Sequence, residues 1–400
     1  MTFVSEDMRT TEQLELAVKA GTLIFGSAQR TDRYPVDVCE DEPAALDVLL
    51  DRIDGRRVAL VTDHTVARLH GARLADRLQD AGVAVERTSF PAGEASKSVA
   101  TAIGLLDWLA ETDFARRDVV LAVGGGVVID TVGWVASAYM RGVPYCNVPT
   151  TLLAQVDASL GGKVAVDHPR AKNLIGSFHQ PMAVVSNIGY LATLDLRQTR
   201  AGLAEAIKKG VISSPALFEL IEEHHRAVLA AEPSVTARLV HGASVVKTQL
   251  VARDPYEVEL RRPLNFGHTI GHAVETVTGY GPVLHGEAVA FGMACAARIA
   301  ARRGLLATSV LDRIVGLLRR VGLPVTLDAL PAAVDPAAVV AALSQIRKIR
   351  DGHLYFVLPE DLGETLITDD VSDEEIRASL TAPHQSSEDS FTTGEGVARA

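Results

Sequence analysis

Asp118–Val123 (DVVLAV) is apolar after its first residue and runs directly into Gly124, Gly125 and Gly126. A run this short with no polar face fits a strand buried on both sides, and such strands belong to parallel sheets covered by helices. The flanking segments repeat the theme. Arg57–Thr62, Val83–Ser89 and Pro144–Pro149 read as strands, while Thr65–Ala81, Ser98–Thr112 and Val127–Met140 carry helical spacing. Strands alternating with helices predict an α/β fold with a parallel sheet.

Beyond about residue 190 the pattern changes. Leu203–Ile212, Ala216–Ala231, Ser234–Val251, His268–Thr278, Ala288–Arg303 and Ser309–Val321 all have helical periodicity, and Leu354–Leu358 is one late strand. The 400 residues therefore divide into an N-terminal extension (1–30), an α/β domain (31–190), an all-helical domain (191–383) and a polar tail (384–400) expected to be disordered.

Composition excludes several classes. A net charge of −11 argues against non-specific nucleic-acid binding, which needs a basic surface. There is no apolar run of about 18 residues, so no membrane span is expected. The opening MTFVSEDMRTTEQ lacks a basic segment followed by an apolar one, so no signal peptide is expected. Cys39, Cys146 and Cys295 have neither disulfide nor zinc-knuckle spacing, which fits a cytoplasmic protein. Of 39 cationic side chains only 8 are lysine, and seven of those fall in the motifs below: Lys97, Lys163, Lys172, Lys208, Lys209, Lys247 and Lys348. Lysine offers a compact ammonium whose pKa can be tuned, as arginine does not.

The three glycines after the buried strand let a backbone approach a phosphate at a helix N-terminus; a tight structural turn is the alternative, since G-x-G-x-x-G is absent. Asp63 ends an early strand and either meets a ribose or caps the following helix. Pro91-Ala-Gly-Glu94-x-x-Lys97 places one acid and one base in a loop. Pro149–Lys163 and Lys172–Gly176 gather Thr150, Thr151, Asp157, Gly161, Gly162, Lys163, Lys172 and Asn173. Glycine beside lysine lets an ammonium reach an anion, and asparagine supplies donor and acceptor; an ordinary surface loop is the alternative. Glu205 and Lys208, three apart, read first as an exposed helical ion pair.

Arg261–His272 (RRPLNFGHTIGH) is the sharpest segment. His268 and His272, four apart, share a helix face, and His285-Gly-Glu follows. Imidazoles and a carboxylate suit zinc, though the spacing does not say which of them bind. HExxH is absent, so peptide hydrolysis is not expected.

Taken together, GGGxxxD, PTTLLAQVDASLGGK, KNLIG, GLAEAIK, LNFGHTIGHAVE and HGEAVAFGM resemble the dehydroquinate synthase family of sugar phosphate cyclases over about residues 55–360. The resemblance implies a Rossmann-like NAD-binding domain followed by a helical metal-binding domain, with the active site between them. It implies zinc, or cobalt, held by Glu205, His268 and His285. It places Lys163, Asn173, Lys208, Asn265, His272 and Lys348 at a substrate phosphate, with Arg141 reaching in from the other subunit of a homodimer. Lys247 and Arg261 would face a substrate carboxylate. Asp63, Glu94, Lys97, Gly125, Gly126, Asp130, Thr150, Thr151, Asp157 and Lys172 match NAD-contacting positions.

The implied activity is that of a carbon–oxygen lyase acting on phosphates. The steps are oxidation, β-elimination of phosphate, reduction, ring opening and aldol closure. The first substrate expectation is 3-deoxy-arabino-heptulosonate 7-phosphate, giving 3-dehydroquinate in the shikimate route to aromatic amino acids. A sedoheptulose 7-phosphate cyclase giving a valiolone comes second, because such enzymes usually alter the positions of Asn265, His272 and Lys348. An aminodehydroquinate synthase ranks third, and an NAD-linked polyol dehydrogenase on the same fold is the rival from another class. The chain departs from the family at Ile346-Arg347-Lys348, at Arg197-Gln198, and at Lys209, where an aromatic or small residue is usual.

Overall fold

A computed structural model describes residues 32–169, 171–256, 262–349 and 352–381. The expected extension (1–30), the expected tail (384–400) and Arg261 lie outside the described residues. The chain divides into Met1–Arg33 and Tyr34–Ala400. In the second unit β1 (Val36–Cys39), β2 (Val58–Asp63), β3 (Val85–Phe90), β4 (Val119–Gly124), β5 (Tyr145–Pro149) and β8 (Ala183–Asn187) form a six-stranded sheet ordered β1-β8-β5-β4-β2-β3. Every pairing in it is parallel.

The central strands are apolar because both faces are covered. Val58, Leu60, Val119, Leu121 and Val123 pack under α1 (Glu42–Ile53) and α2 (Ala72–Asp80). Ala59, Val61, Val120 and Ala122 pack under α3 (Val99–Glu111) and α4 (Gly126–Ala138). Successive side chains point to opposite faces, so one uninterrupted apolar run serves both cores. Side chains cap both helices: Asp41 accepts from Ala44 N ahead of a proline in α1, and Ser98 accepts from Thr101 N in α3.

The order of the sheet places its reversal between β2 and β4. The chain leaves β2 for the outer β3, then returns to β4 on the other side. A crevice opens beyond the C-terminal strand ends at such a point, and ligands of open α/β sheets bind there. Asp63 ends β2 and Gly124 ends β4.

The helical part is built on α5 (Leu196–Ser213), α6 (Pro215–Leu229), α7 (Pro233–Arg253), α8 (His268–Val277), α9 (His285–Arg302), α10 (Thr308–Arg320), α11 (Pro336–Ile349) and α12 (Asp373–Leu380). It is not wholly helical. β9 (Phe356–Asp361) pairs antiparallel with β10 (Glu364–Thr368), and Phe356, Val357 and Leu358 join the helical core. A second hairpin was also not expected: β6 (Lys163–His168) pairs antiparallel with β7 (Ala171–Phe178), where the sequence offered no strand signal. Leu152, Val156, Ile188 and Leu191 belong to the same core as the helices, so the sheet part and the helical part share an interior.

Candidate active site

Three helices bring together the side chains expected to ligate a metal. Glu205 lies in α5, whose residues from Ala201 to Ile212 are all buried. His268 is the first residue of α8 and His285 the first of α9. The helices approach closely because glycine stands where they cross. A Cβ on Gly286 would lie 2.0 Å from Ala201 O of α5. Gly267 enters α8 at φ +80, a conformation that L side chains rarely adopt, and a Cβ there would meet Val289 O of α9 at 2.6 Å.

The result is a compact donor set. Glu205 Oε1 is 3.7 Å from His268 Nε2 and 3.8 Å from His285 Nε2. Ligand atoms around a tetrahedral zinc stand about 3.4 Å apart, so a small contraction would seat one ion. His268 Nδ1 lies 3.2 Å from Phe266 O, and His285 Nδ1 lies 3.2 Å from Glu275 Oε2. Each imidazole thus turns its Nε2 toward Glu205. His272 closes the group, its ring centroid 5.1 Å from that of His268 and 5.9 Å from that of His285.

Glu205 is fully buried, not the surface ion-pair member first read from its spacing. Helix α5 is enclosed on all sides, and the (i, i+3) spacing carries no information about that. Lys208 Nζ lies 2.5 Å from Oε2, but off the hydrogen-bond direction, and neither carboxylate oxygen accepts a well-formed hydrogen bond. Burial opposes its charge, yet Lys208 and then Lys209 and His285 hold the carboxyl below its ordinary value. Burial, with Lys208 and His285 nearby, holds His268 well below the usual imidazole range, so it is neutral at pH 7.

Beside this group lies a lysine cluster around Asp157. Lys209 Nζ donates to Asp157 Oδ1 at 2.7 Å, and Lys247 Nζ contacts Oδ2 at 2.9 Å and the Asp157 carbonyl at 2.8 Å. Lys209 Nζ is also 3.7 Å from Glu205 Oε2, so it spans the two carboxylates. Burial acts against the charge on Asp157, but Lys209 and Lys247 keep its carboxyl well below the ordinary range. Lys247 is pushed down by burial despite Asp157. Lys209 stood out in the sequence as one of the few lysines and as a departure from the family pattern, with no role assigned; the structure makes it fully buried.

A second cluster sits at the sheet's reversal. Lys97 contacts Asp130 Oδ2 at 2.5 Å and donates to Asn173 Oδ1. Burial would depress the Lys97 ammonium, but Asp130 carries it above its ordinary value. Lys172 pairs with Glu94 at 2.9 Å and lies over the Tyr280 ring at 4.8 Å, joining β7 to the loop after α8. Gly125 caps α4 without a side-chain hydrogen bond, and a Cβ there would be 3.1 Å from Thr151 Cγ2. Thr150 N donates to Gly124 O, holding the end of β5 against the glycine turn. Asp63 caps the next turn, accepting from Thr65 N and Val66 N at 2.8 and 2.9 Å.

Other expected site residues are more dispersed. Asn265 is exposed two residues before Gly267, Lys163 is exposed at the start of β6, and Lys348 is exposed in the last turn of α11. Arg347 turns away to Asp373 at 2.9 Å. Arg141 is exposed at φ +66, beside exposed Met140. Asn173 meets Lys97 rather than the histidine group. Two further carboxylates bear on His285: Glu275, which sequence reasoning did not single out, and Glu287, read there only as the carboxylate of His285-Gly-Glu among the zinc candidates, which instead pairs with Arg197 at 2.6 Å.

Known proteins share this architecture. Residues 87–201 match the family described as 3-dehydroquinate synthase N-terminal, and residues 202–349 match its C-terminal counterpart. A 2-epi-valiolone synthase of Actinosynnema mirum is 59% identical over 351 residues, which cover 88% of this chain and 92% of the relative. A 3-dehydroquinate synthase of Symbiobacterium thermophilum is 44% identical over 354 residues, 88% of this chain and 98% of the relative. Among solved structures, the 2-epi-5-epi-valiolone synthase ValA of Streptomyces hygroscopicus subsp. jinggangensis 5008, with NAD+ and Zn2+ bound, superposes with a TM-score of 0.82 at 33% identity, covering 89% of this chain and 98% of that one. A 2-deoxy-scyllo-inosose synthase with carbaglucose-6-phosphate, NAD+ and Co2+ gives 0.77 at 26% identity, covering 87% and 97%. On these matches and this fold, the chain belongs to the 3-dehydroquinate synthase family of sugar phosphate cyclases.

Proposed function

We propose that the chain is an NAD- and zinc-dependent cyclase of sedoheptulose 7-phosphate, releasing phosphate and giving a valiolone. The observation that carries the substrate class is the 59% identity to a 2-epi-valiolone synthase, against 44% to a 3-dehydroquinate synthase. This reverses the order of the two substrates expected from sequence. The position of Lys247 supports the change. Its ammonium, expected at a substrate carboxylate, already makes two contacts to Asp157, which Lys209 grips from the other side. A cleft wall tied up in this way suits a hydroxymethyl end better than a second anion.

The residues present fit both cofactors. Glu205 offers two buried oxygens without well-formed hydrogen bonds, aimed at two imidazoles with orienting partners on their far nitrogens. This donor set suits zinc or cobalt. Bound by Glu205, His268 and His285, such an ion would supply Lewis-acid polarisation of substrate hydroxyls. The glycine turn after β4, the N-terminus of α4 and the crevice at the sheet's reversal suit a dinucleotide. NAD held there by Gly125, Gly126, Asp130, Thr150, Thr151, Lys97, Glu94, Lys172, Asp157 and Asp63 would supply a reversible hydride acceptor.

In this reading residues 31–190 form the cofactor half and 191–383 the metal and substrate half. The chain's own groups then bind and orient. Lys208 and His272, beside the donor set, are placed for the phosphate as negative charge develops on it, with Lys163, Asn173, Asn265 and Lys348 completing its shell. Arg141, exposed on its turn, would serve the other subunit of a homodimer. Neutral His268 keeps a lone pair for the ion.

Phosphate release with sedoheptulose 7-phosphate and with 3-deoxy-arabino-heptulosonate 7-phosphate, read beside absorbance at 340 nm, tests the proposal. Turnover of the former with no accumulation of NADH is expected. Preference for the 3-deoxy acid, the reading that retention of Asn265, His272 and Lys348 favours, would return the chain to 3-dehydroquinate synthesis. Stoichiometric NADH would make it a polyol dehydrogenase.

A further inference from the structure

His285 occupies the least secure place a ligand can take. It is the first residue of its helix, and its side chain is 33% exposed. Nothing in the backbone of α9 fixes which way the ring faces. The fixing group comes from α8: Glu275, 5% exposed, brings Oε2 to 3.2 Å from Nδ1. A carboxylate accepts only, so Nδ1 carries a proton, and Nε2 is the atom turned into the donor set, 3.8 Å from Glu205 Oε1. His268 reaches the same state through a backbone carbonyl, Phe266 O, which no substitution can remove. The two imidazoles are therefore oriented by different means, and only that of His285 depends on a side chain.

A second device fixes the backbone beneath His285. Glu287 Oε2 accepts from Leu284 N at 2.8 Å, and the same carboxylate takes both arms of Arg197 at 2.6 and 2.8 Å. Arg197 lies in α5, the helix that carries Glu205, and also donates to Pro282 O at 2.6 Å. Arg197 and Glu287 thus set the position of the helix end, while the rotation of the ring is left to Glu275.

We propose that Glu275 is a positioning residue for the metal centre: it fixes the tautomer and rotation of His285 without binding the ion. The proposal rests on the metal reading above. One competing arrangement uses the same atoms. His272, Glu275 and His285 also come close enough to ligate a separate ion, in which Glu275 would be a ligand.

Titration of chelator-stripped protein with Co2+, against a competing chelator, separates these cases. The visible d–d spectrum reports geometry, and urea unfolding of the metal-free form reports fold. The wild type is expected to bind one equivalent. Glu275→Gln is expected to weaken that binding by about 10–100-fold and to alter the spectrum, with metal-free unfolding unchanged. Should Gln disturb the fold, Glu275→Asp keeps the charge at shorter reach and is expected to lose affinity to a smaller degree. Unchanged Co2+ affinity in a folded variant overturns the proposal. So does a wild type that binds two equivalents of which only the second is lost in Glu275→Gln. A wild type that binds no Co2+ removes the metal reading itself, and the proposal with it.

Discussion

Asp157 is one carboxylate shared by two buried ammonium groups, and that asymmetry has a measurable sign. At an effective dielectric of about 20, unit charges about 2.8 Å apart attract by roughly 6 kcal/mol before desolvation is counted. Asp157→Asn removes two such pairs, to Lys209 at 2.7 Å and to Lys247 at 2.9 Å. Lys209, with no exposed surface, keeps Glu205 alone, its carbonyl at 3.5 Å and its Oε2 at 3.7 Å. Leaving buried charges uncompensated costs about 3–5 kcal/mol. Lys209→Met removes one pair, leaves Asp157 with Lys247, and also removes the desolvation of the Lys209 ammonium. A loss of about 1–2 kcal/mol is expected. Urea unfolding of metal-free protein at pH 7 should therefore rank Asp157→Asn as the more damaging change. The double variant should be less unstable than the sum of the two singles by about 0.5–3 kcal/mol, the range found for residues in direct contact. Equal single effects, or strict additivity, would refute the picture of Asp157 as the shared partner.

Glu205→Gln removes the one carboxylate of the donor set, and its metal content after purification with equimolar zinc, measured by atomic absorption, is expected to fall below one-tenth of wild type. Gly286→Ala places a methyl group 2.0 Å from Ala201 O and is expected to lower stability by at least about 3 kcal/mol, read as a shifted urea midpoint, with a comparable drop in metal content. Acid stability should carry a contribution from Glu375: hydrogen bonds from Arg303 hold its carboxyl at about 2 in the folded chain. Its unfolded value is about 4.3, so this stabilisation is complete above that pH and is lost as pH falls toward 2; Glu375→Gln should flatten that limb of the pH–stability curve and leave the neutral range parallel.

The α/β part was legible because buried parallel strands leave an unambiguous mark: β4 is six consecutive buried residues, and the glycines after it fix where the strand stops. The β6–β7 hairpin was not legible. Half of β7 is exposed, and its Lys, Asn, Gly and Ser give it the composition of a loop. The late strand Leu354–Leu358 was found, but not its partner β10, which has no buried residue. At the site, the resemblance supplied Glu205 as a ligand where spacing alone gave a surface ion pair. Spacing reports which residues share a helix face and says nothing about what lies against that face. Glu275 left no mark of its own, because a carboxylate that hydrogen-bonds an imidazole has no fixed offset from it, and Glu287, read beside His285 as a zinc candidate, turns instead to Arg197. Lys209 was noted as one of few lysines and as a departure from the family, but Ala-Ile-Lys-Lys-Gly-Val-Ile gives no sign that the second lysine faces the interior.

The glycine contacts between α5, α8 and α9 divide the cleft into a part that can be altered piecemeal and a part that cannot. Shifting Glu205, His268 or His285 means sliding a helix whose main chain already touches the next one, so a rearrangement there would disturb the whole interior. Asn265, Lys348 and Arg141 stand on turns and a final helical turn, where one side chain can be exchanged with little effect on the packing between helices. Laboratory evolution toward other sugar phosphates should therefore accumulate changes along that rim and leave the helix crossings as they are.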